Sequence, residues 1–115
     1  MVATLAKVTC PVLALNGDKD LQVPSQQNLP PIRKALASGG NNHYEIDELP
    51  GLNHLFQTAK TGGVTEYSEI EETMSPAAME KAASWILKQT GGEKSRAKAA
   101  AQSASSRSNS YVRAQ

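Results

Sequence analysis

The first 90 residues divide into four patterned segments separated by polar breaks. Val8-Thr9-Cys10-Pro11-Val12-Leu13-Ala14-Leu15-Asn16-Gly17 is an apolar run closed by Asn-Gly. It lacks the period-2 alternation of a half-exposed strand. A run of this kind suits a strand buried on both faces, as in a parallel sheet. Pro11 sits near its start, where a missing ladder donor is tolerated. Gly17-Asp18-Lys19-Asp20 reads as the turn that follows.

The next apolar periodicity lies over about residues 30–38. Ile32, Ala35 and Leu36 fall on one face of a helix, and Arg33 and Lys34 on the other. Pro30-Pro31 lacks two backbone donors, so the pair is expected in the first turn of this helix. Pro24-Ser25-Gln26-Gln27-Asn28 before it is compatible with a single helical turn. Gly39-Gly40 ends the helix. Tyr44-Glu45-Ile46-Asp47-Glu48-Leu49 alternates and predicts a second strand, with Pro50-Gly51-Leu52-Asn53-His54 as the loop at its C-terminal end. Residues 60–73 are polar, acidic and glycine-containing, and read as an irregular loop. Ser75 as N-cap and Pro76 as the first helical residue open a last helix. On it Met79, Ala82, Ala83, Ile86 and Leu87 form an apolar stripe beside Trp85, a core face rather than a ligand site. Gly91-Gly92 closes it. The order strand, helix, strand, helix predicts an α/β fold with parallel strands and a right-handed crossover.

Charge separates the remaining 25 residues from this pattern. The whole chain of 115 residues carries a net charge of +1. Residues 91–115 hold five bases and one acid, and residues 1–90 hold seven bases and ten acids. The C-terminal segment is rich in Ser and Ala and nearly free of large apolar groups. Such a composition cannot offset its ordering entropy, so it reads as a disordered basic tail with at most a frayed turn near 98–101. The domain reading is therefore 1–90 folded and 91–115 tail. A nucleic-acid-binding arm is disfavoured, because the tail's charge is sparse and no aromatics interleave it. No apolar run approaches the roughly 20 residues that span a bilayer. Residues 1–9 do not form a secretory signal, which predicts a cytoplasmic location for the chain as written. A lone Cys10 excludes an internal disulfide and a cysteine-rich zinc site.

Ligands of open α/β sheets bind beyond the C-terminal ends of the strands. Asp20 falls there after the first strand and His54 after the second. An aspartate that orients a histidine base is the acid–base half of a catalytic triad. Asp18 competes with Asp20, and His43 with His54. An Asp in such a turn often only bonds its own backbone, and a single His is more often a surface or core residue than a catalyst. His43 leads into the second strand at its N-terminal end, the wrong sheet edge for catalysis.

Two of these segments carry a resemblance. Pro11-Val12-Leu13-Ala14-Leu15-Asn16-Gly17-Asp18-Lys19-Asp20-Leu21-Gln22-Val23-Pro24 resembles the acid-bearing segment of the α/β-hydrolase superfamily. Leu49-Pro50-Gly51-Leu52-Asn53-His54-Leu55-Phe56 resembles its histidine loop, and residues 75–87 its last helix. The nearest likeness is to dienelactone-hydrolase-like and serine-aminopeptidase-like acyl hydrolases, over about residues 7–90. It implies the last two parallel strands of a hydrolase fold, with Asp20 as triad acid and His54 as triad base. It implies a small carboxylic ester as substrate and no metal or organic cofactor.

The departure is the nucleophile. The family's Gly-x-Ser-x-Gly elbow lies upstream of the acid, and no such motif occurs in the chain. Ser38 sits in Ala-Ser-Gly-Gly at a helix end, and Cys10 at the edge away from the site. The expectation is a C-terminal hydrolase segment without its nucleophile, inactive alone unless a nucleophile-bearing segment completes it. The alternatives are an interaction module pairing through an exposed sheet edge and, more weakly, a basic-tailed adaptor for nucleic acid. Two helices can hardly cover a two-stranded sheet whose first strand is apolar on both faces, so exposed apolar surface and self-association are also expected.

Overall fold

The computed structural model describes residues 2–91. The expectations for the tail lie almost wholly outside them. The chain divides into two compact units, Met1–Lys81 and Ala82–Gln115.

The first unit is mixed α/β. A short helix α1 (Val2–Leu5), not anticipated from the sequence, precedes strand β1 (Val12–Gly17). Helix α2 (Ser25–Ser38) crosses over to strand β2 (Tyr44–Leu49). The strands pair in parallel, in register from Val12 opposite Tyr44 to Gly17 opposite Leu49. The expected parallel pair and crossover are therefore present. Helix α3 (Pro76–Thr90) begins in this unit and ends in the next.

The register assigns the faces. Residues opposite one another point the same way, and successive residues alternate. Val12, Ala14 and Asn16 thus share a face with Tyr44, Ile46 and Glu48. That is the α2 side, where Asn28 of α2 donates to Asn16 Oδ1 at 2.7 Å. Leu13, Leu15, Glu45 and Asp47 share the other face. From α3, Lys81 Nζ reaches Glu45 Oε1 at 2.5 Å and Asp47 Oδ2 at 2.8 Å. Lys81 holds the Asp47 carboxyl below its ordinary range, chiefly by hydrogen bonding. The two carboxylates in turn raise the pKa of Lys81.

Three local expectations are corrected. Helix α2 starts five residues before Pro30, so Pro30-Pro31 lie inside it rather than in its first turn. Its added first turn is anchored by tertiary contacts. Ser25 and Leu29 are buried, the Ser25 hydroxyl donates to Glu48, and Asn28 ties to β1. These offset the two missing backbone donors.

Residues 60–73 are not wholly irregular, because Val64–Glu69 forms a 3-10 helix. Glu66 organises it by accepting from the Lys60 N–H at 2.5 Å, the Thr61 N–H at 2.8 Å and the Thr61 hydroxyl. These donors pull the Glu66 pKa down to about 2.

In α3, Ala78 is buried while Met79 is half exposed. Lys81 pairs with β2, and Ala78, three residues before it, lies on the same face of the helix. The N-cap expectation agrees with the structure, since Ser75 Oγ accepts from the Ala77 N–H at 3.2 Å.

Among the described residues the buried apolar side chains are Leu29, Ala35, Leu36, Leu52 and Ala78. Residues 12–15 of β1 are only partly covered. Among the described residues the sheet has two strands, so one edge of β1 has no strand beside it there. No helix among the described residues is long and apolar enough to cross a membrane.

Candidate functional site

Two loops leave the C-terminal ends of β1 and β2 and are bound to each other. The Asp18 N–H donates to Leu49 O at 3.0 Å, and the Lys19 N–H to Leu52 O at 2.9 Å. The Gly51 N–H donates to Asp18 Oδ1 at 2.7 Å. Gly17 makes this approach possible, because a Cβ there would lie 2.0 Å from Leu52 O. Asp18, the competing acid, is thus spent on the loop backbone and does not face His54.

The loop after β2 is built around Asn53, which is almost fully buried. Asn53 Oδ1 accepts from the N–H groups of Leu55 at 3.0 Å and Gln57 at 2.9 Å, and its Nδ2 donates to Gln57 Oε1 at 3.0 Å. This cage lets Phe56 hold a φ of +58°, a conformation that L-residues seldom adopt. The Gln57 side chain donates to Glu72 O at 2.9 Å, and the Ser75 N–H to Phe56 O at 2.7 Å. The loop is therefore clamped to the segment that leads into α3.

These restraints bring Asp20 and His54 together. His54 Nδ1 lies 3.0 Å from Asp20 Oδ2. Asp20 is buried, whereas 37% of the His54 side chain is exposed. The carboxylate accepts four hydrogen bonds. Oδ1 takes the N–H groups of Gln22 at 3.0 Å and Val23 at 2.8 Å. Oδ2 takes His54 Nδ1 and, at 3.3 Å, Asn16 Nδ2. Burial raises the Asp20 pKa, but the bonds from Val23, His54 and Gln22 and the attraction of His54 outweigh it. The carboxyl sits below its ordinary 3.8. An ionised carboxylate only accepts, so Nδ1 carries a proton, and in the neutral imidazole Nε2 is then the nitrogen with the lone pair. Among the described residues Nε2 has no hydrogen-bond partner. The arrangement can therefore take up a proton at Nε2 and stabilise the resulting imidazolium.

The other sequence candidates lie elsewhere. The His43 carbonyl accepts from the Val12 N–H at 3.0 Å, at the start of both strands, and its ring does not join the pair. Cys10 is exposed just before β1, and Ser38 ends α2 with its hydroxyl on Ala35 O at 3.0 Å. A hollow of about 610 Å³ between α2 and β2 includes Ser25, Arg33, Tyr44 and Glu48 in its wall but neither Asp20 nor His54. The chemistry is located by the paired ionisable groups and not by that hollow. Among the described residues no cluster of three His, Cys, Asp or Glu side chains is arranged to hold a metal ion.

Sequence reasoning missed Asn16, Asn28, Asn53 and Gln57. Asn16 closes an apolar run as the first half of Asn-Gly, which reads as turn chemistry. The only signal of burial was its place at the end of that run. Comparison of the chain with protein-family models, with curated proteins and with solved structures returns no match.

Proposed function

We propose that this chain carries the acid and base of a Ser-His-Asp hydrolase acting on carboxylic esters, with the last two strands of an α/β-hydrolase fold. The observation that carries the reading is the 3.0 Å contact from His54 Nδ1 to a buried, four-fold bonded Asp20, beyond the C-terminal ends of two parallel strands. In the reaction a serine hydroxyl attacks the ester carbonyl and His54 Nε2 takes its proton. His54 then returns that proton to the leaving alcohol, while Asp20 holds the imidazole in the productive tautomer. The chain has no Gly-x-Ser-x-Gly, so the serine comes from another segment and the chain is inactive without it.

p-Nitrophenyl acetate tests this. The purified chain is expected to hydrolyse it no faster than a free-imidazole background. Saturable turnover with an acyl adduct detected by mass spectrometry would overturn the absence of a nucleophile. Supplying a Gly-x-Ser-x-Gly-bearing segment from an adjoining reading frame is expected to create turnover that His54→Ala abolishes. Turnover indifferent to His54 refutes the assignment.

A second reading rests on the unpaired edge of β1 and the partial exposure of its apolar residues. On this reading the chain is a non-catalytic module that pairs edge to edge with another chain. It is favoured if the completed assembly binds but does not hydrolyse esters.

A further inference from the structure

We propose that Asn16 is a positioning residue for the Asp20–His54 pair, an inference that rests on reading the pair as acid and base. Asn16 is buried on β1, at 4% exposure. Its Nδ2 faces three acceptors: Val23 O at 3.0 Å, Asp20 Oδ2 at 3.3 Å and Gly17 O at 3.3 Å. None of them carries a hydrogen, so only the NH₂ end of the amide fits there. The Oδ1 end accepts from Asn28 Nδ2 at 2.7 Å. Both ends of the side chain are therefore chemically assigned.

The division of labour on the carboxylate gives Asn16 its role. Both backbone donors, Gln22 and Val23, grip Oδ1. Oδ2, the oxygen that meets the imidazole, has among the described residues only Asn16 besides His54. Asn16 thus fixes Oδ2 relative to β1, and Asn28 fixes Asn16 relative to α2. A relay of three side chains, Asn28 to Asn16 to Asp20, aims one lone pair at His54 Nδ1. Without it the carboxylate keeps its grip through Oδ1, but Oδ2 is free to swing off the imidazole plane. The Nδ1–H tautomer, which leaves Nε2 basic, then loses its preference.

The test is the His54 tautomer, read from long-range ¹H–¹⁵N correlations on the full chain above the imidazole titration, with His43 as internal reference. The wild type is expected to hold His54 mainly as Nδ1–H. Asn16→Leu keeps the branched shape and the number of side-chain heavy atoms and removes the donor. It is expected to shift the tautomer ratio toward Nε2–H by about three- to tenfold, the range that one hydrogen bond supplies. His43 should not move. Asp20→Asn separates the two ideas. If it leaves His54 unchanged, the acid–base pairing itself is wrong. If Asp20→Asn shifts the ratio and a folded Asn16→Leu does not, the pairing stands and the role of Asn16 is refuted. Should Asn16→Leu fail to fold, Asn28→Ala decides. That variant frees the Asn16 amide from the α2 side, so a shift toward Nε2–H supports the relay and an unchanged ratio overturns it.

Discussion

A Cβ on Gly17 would lie 2.0 Å from the carbonyl oxygen of Leu52, and 3.0 Å from that of Asn53. Real Cβ atoms do not approach backbone this closely. The last residue of β1 is thus matched to the loop that carries His54. The same loop is bonded through Leu52 O to the turn that carries Asp20, so the missing Cβ at Gly17 lets the loops of acid and base approach each other.

Gly17→Ala is accordingly expected to push the His54 loop off the strand end. Overpacking against backbone costs roughly 1–3 kcal/mol, sometimes more. Urea unfolding at neutral pH measures the loss. The His54 tautomer ratio should shift with it, because Leu52 and His54 move together. Full stability with an unchanged ratio would contradict the contact.

Acid should weaken the fold partly through Asp20. Its folded pKa lies below the ordinary 3.8, so its ionisation stabilises the folded state above the unfolded value. That contribution disappears as the pH falls through the lower folded value. Asp20→Asn has no such proton to take up. Urea midpoints at pH 7 and pH 3 should fall further for the wild type than for Asp20→Asn. Asp47 and Glu66 add the same slope to both proteins. Equal slopes would mean that Asp20 titrates alike in both states.

The buried carboxamide of Asn53 satisfies two backbone donors in the histidine loop. Asn53→Ala leaves those N–H groups without their acceptor, at a cost of about 1–3 kcal/mol. Hydrogen exchange should accelerate at Leu55 and Gln57 before it does in β1. Unchanged protection at these two amides would remove the cage from the account of the site.

Lys81 is placed between Glu45 and Asp47 of β2. Lys81→Met should let the two carboxylates repel, so that Asp47 titrates higher than in the wild type. Carboxyl ¹³C shifts followed against pH measure this directly. The change should shrink in high salt, since these side chains are partly exposed and screened. An unmoved Asp47 would show that the ion pair is not formed in solution.

The small core bears on the isolated chain. Five apolar side chains are buried among the described residues, two of them alanines. A buried Leu contributes about 1.5–3 kcal/mol, against a usual net stability of about 5–15 kcal/mol. Partly covered residues 12–15 and a free β1 edge should make the chain marginally stable or self-associating. Size-exclusion chromatography and thermal unfolding at several concentrations test this. A monomer with a sharp, concentration-independent transition above about 60 °C, high for a mesophile domain, would refute it.

What the sequence determined by itself was set by local and periodic signals. β2 was legible to the residue because Tyr44 to Leu49 alternates between two breaks. β1 was legible because an apolar run ends at Asn-Gly. Ser75-Pro76 announced the start of α3, and strand order placed Asp20 and His54 beyond the same sheet end. Tertiary structure decided the rest. The extent of α2 through Pro30-Pro31 depends on Ser25, Leu29 and Asn28 finding partners on the strands, which no local propensity encodes. The burial of Ala78 in place of Met79 accompanies the pairing of Lys81 with two carboxylates that lie 36 and 34 positions earlier, contacts that no local signal announces. The resemblance already pointed to Asp20 rather than Asp18, but only the folded chain shows the difference between them: Asp20 Oδ2 meets His54 Nδ1, while Asp18 Oδ1 takes the Gly51 N–H. The role of Asn16 was invisible for the same reason: a polar residue ending an apolar run reads as a turn until packing surrounds it with acceptors that only its amide can satisfy.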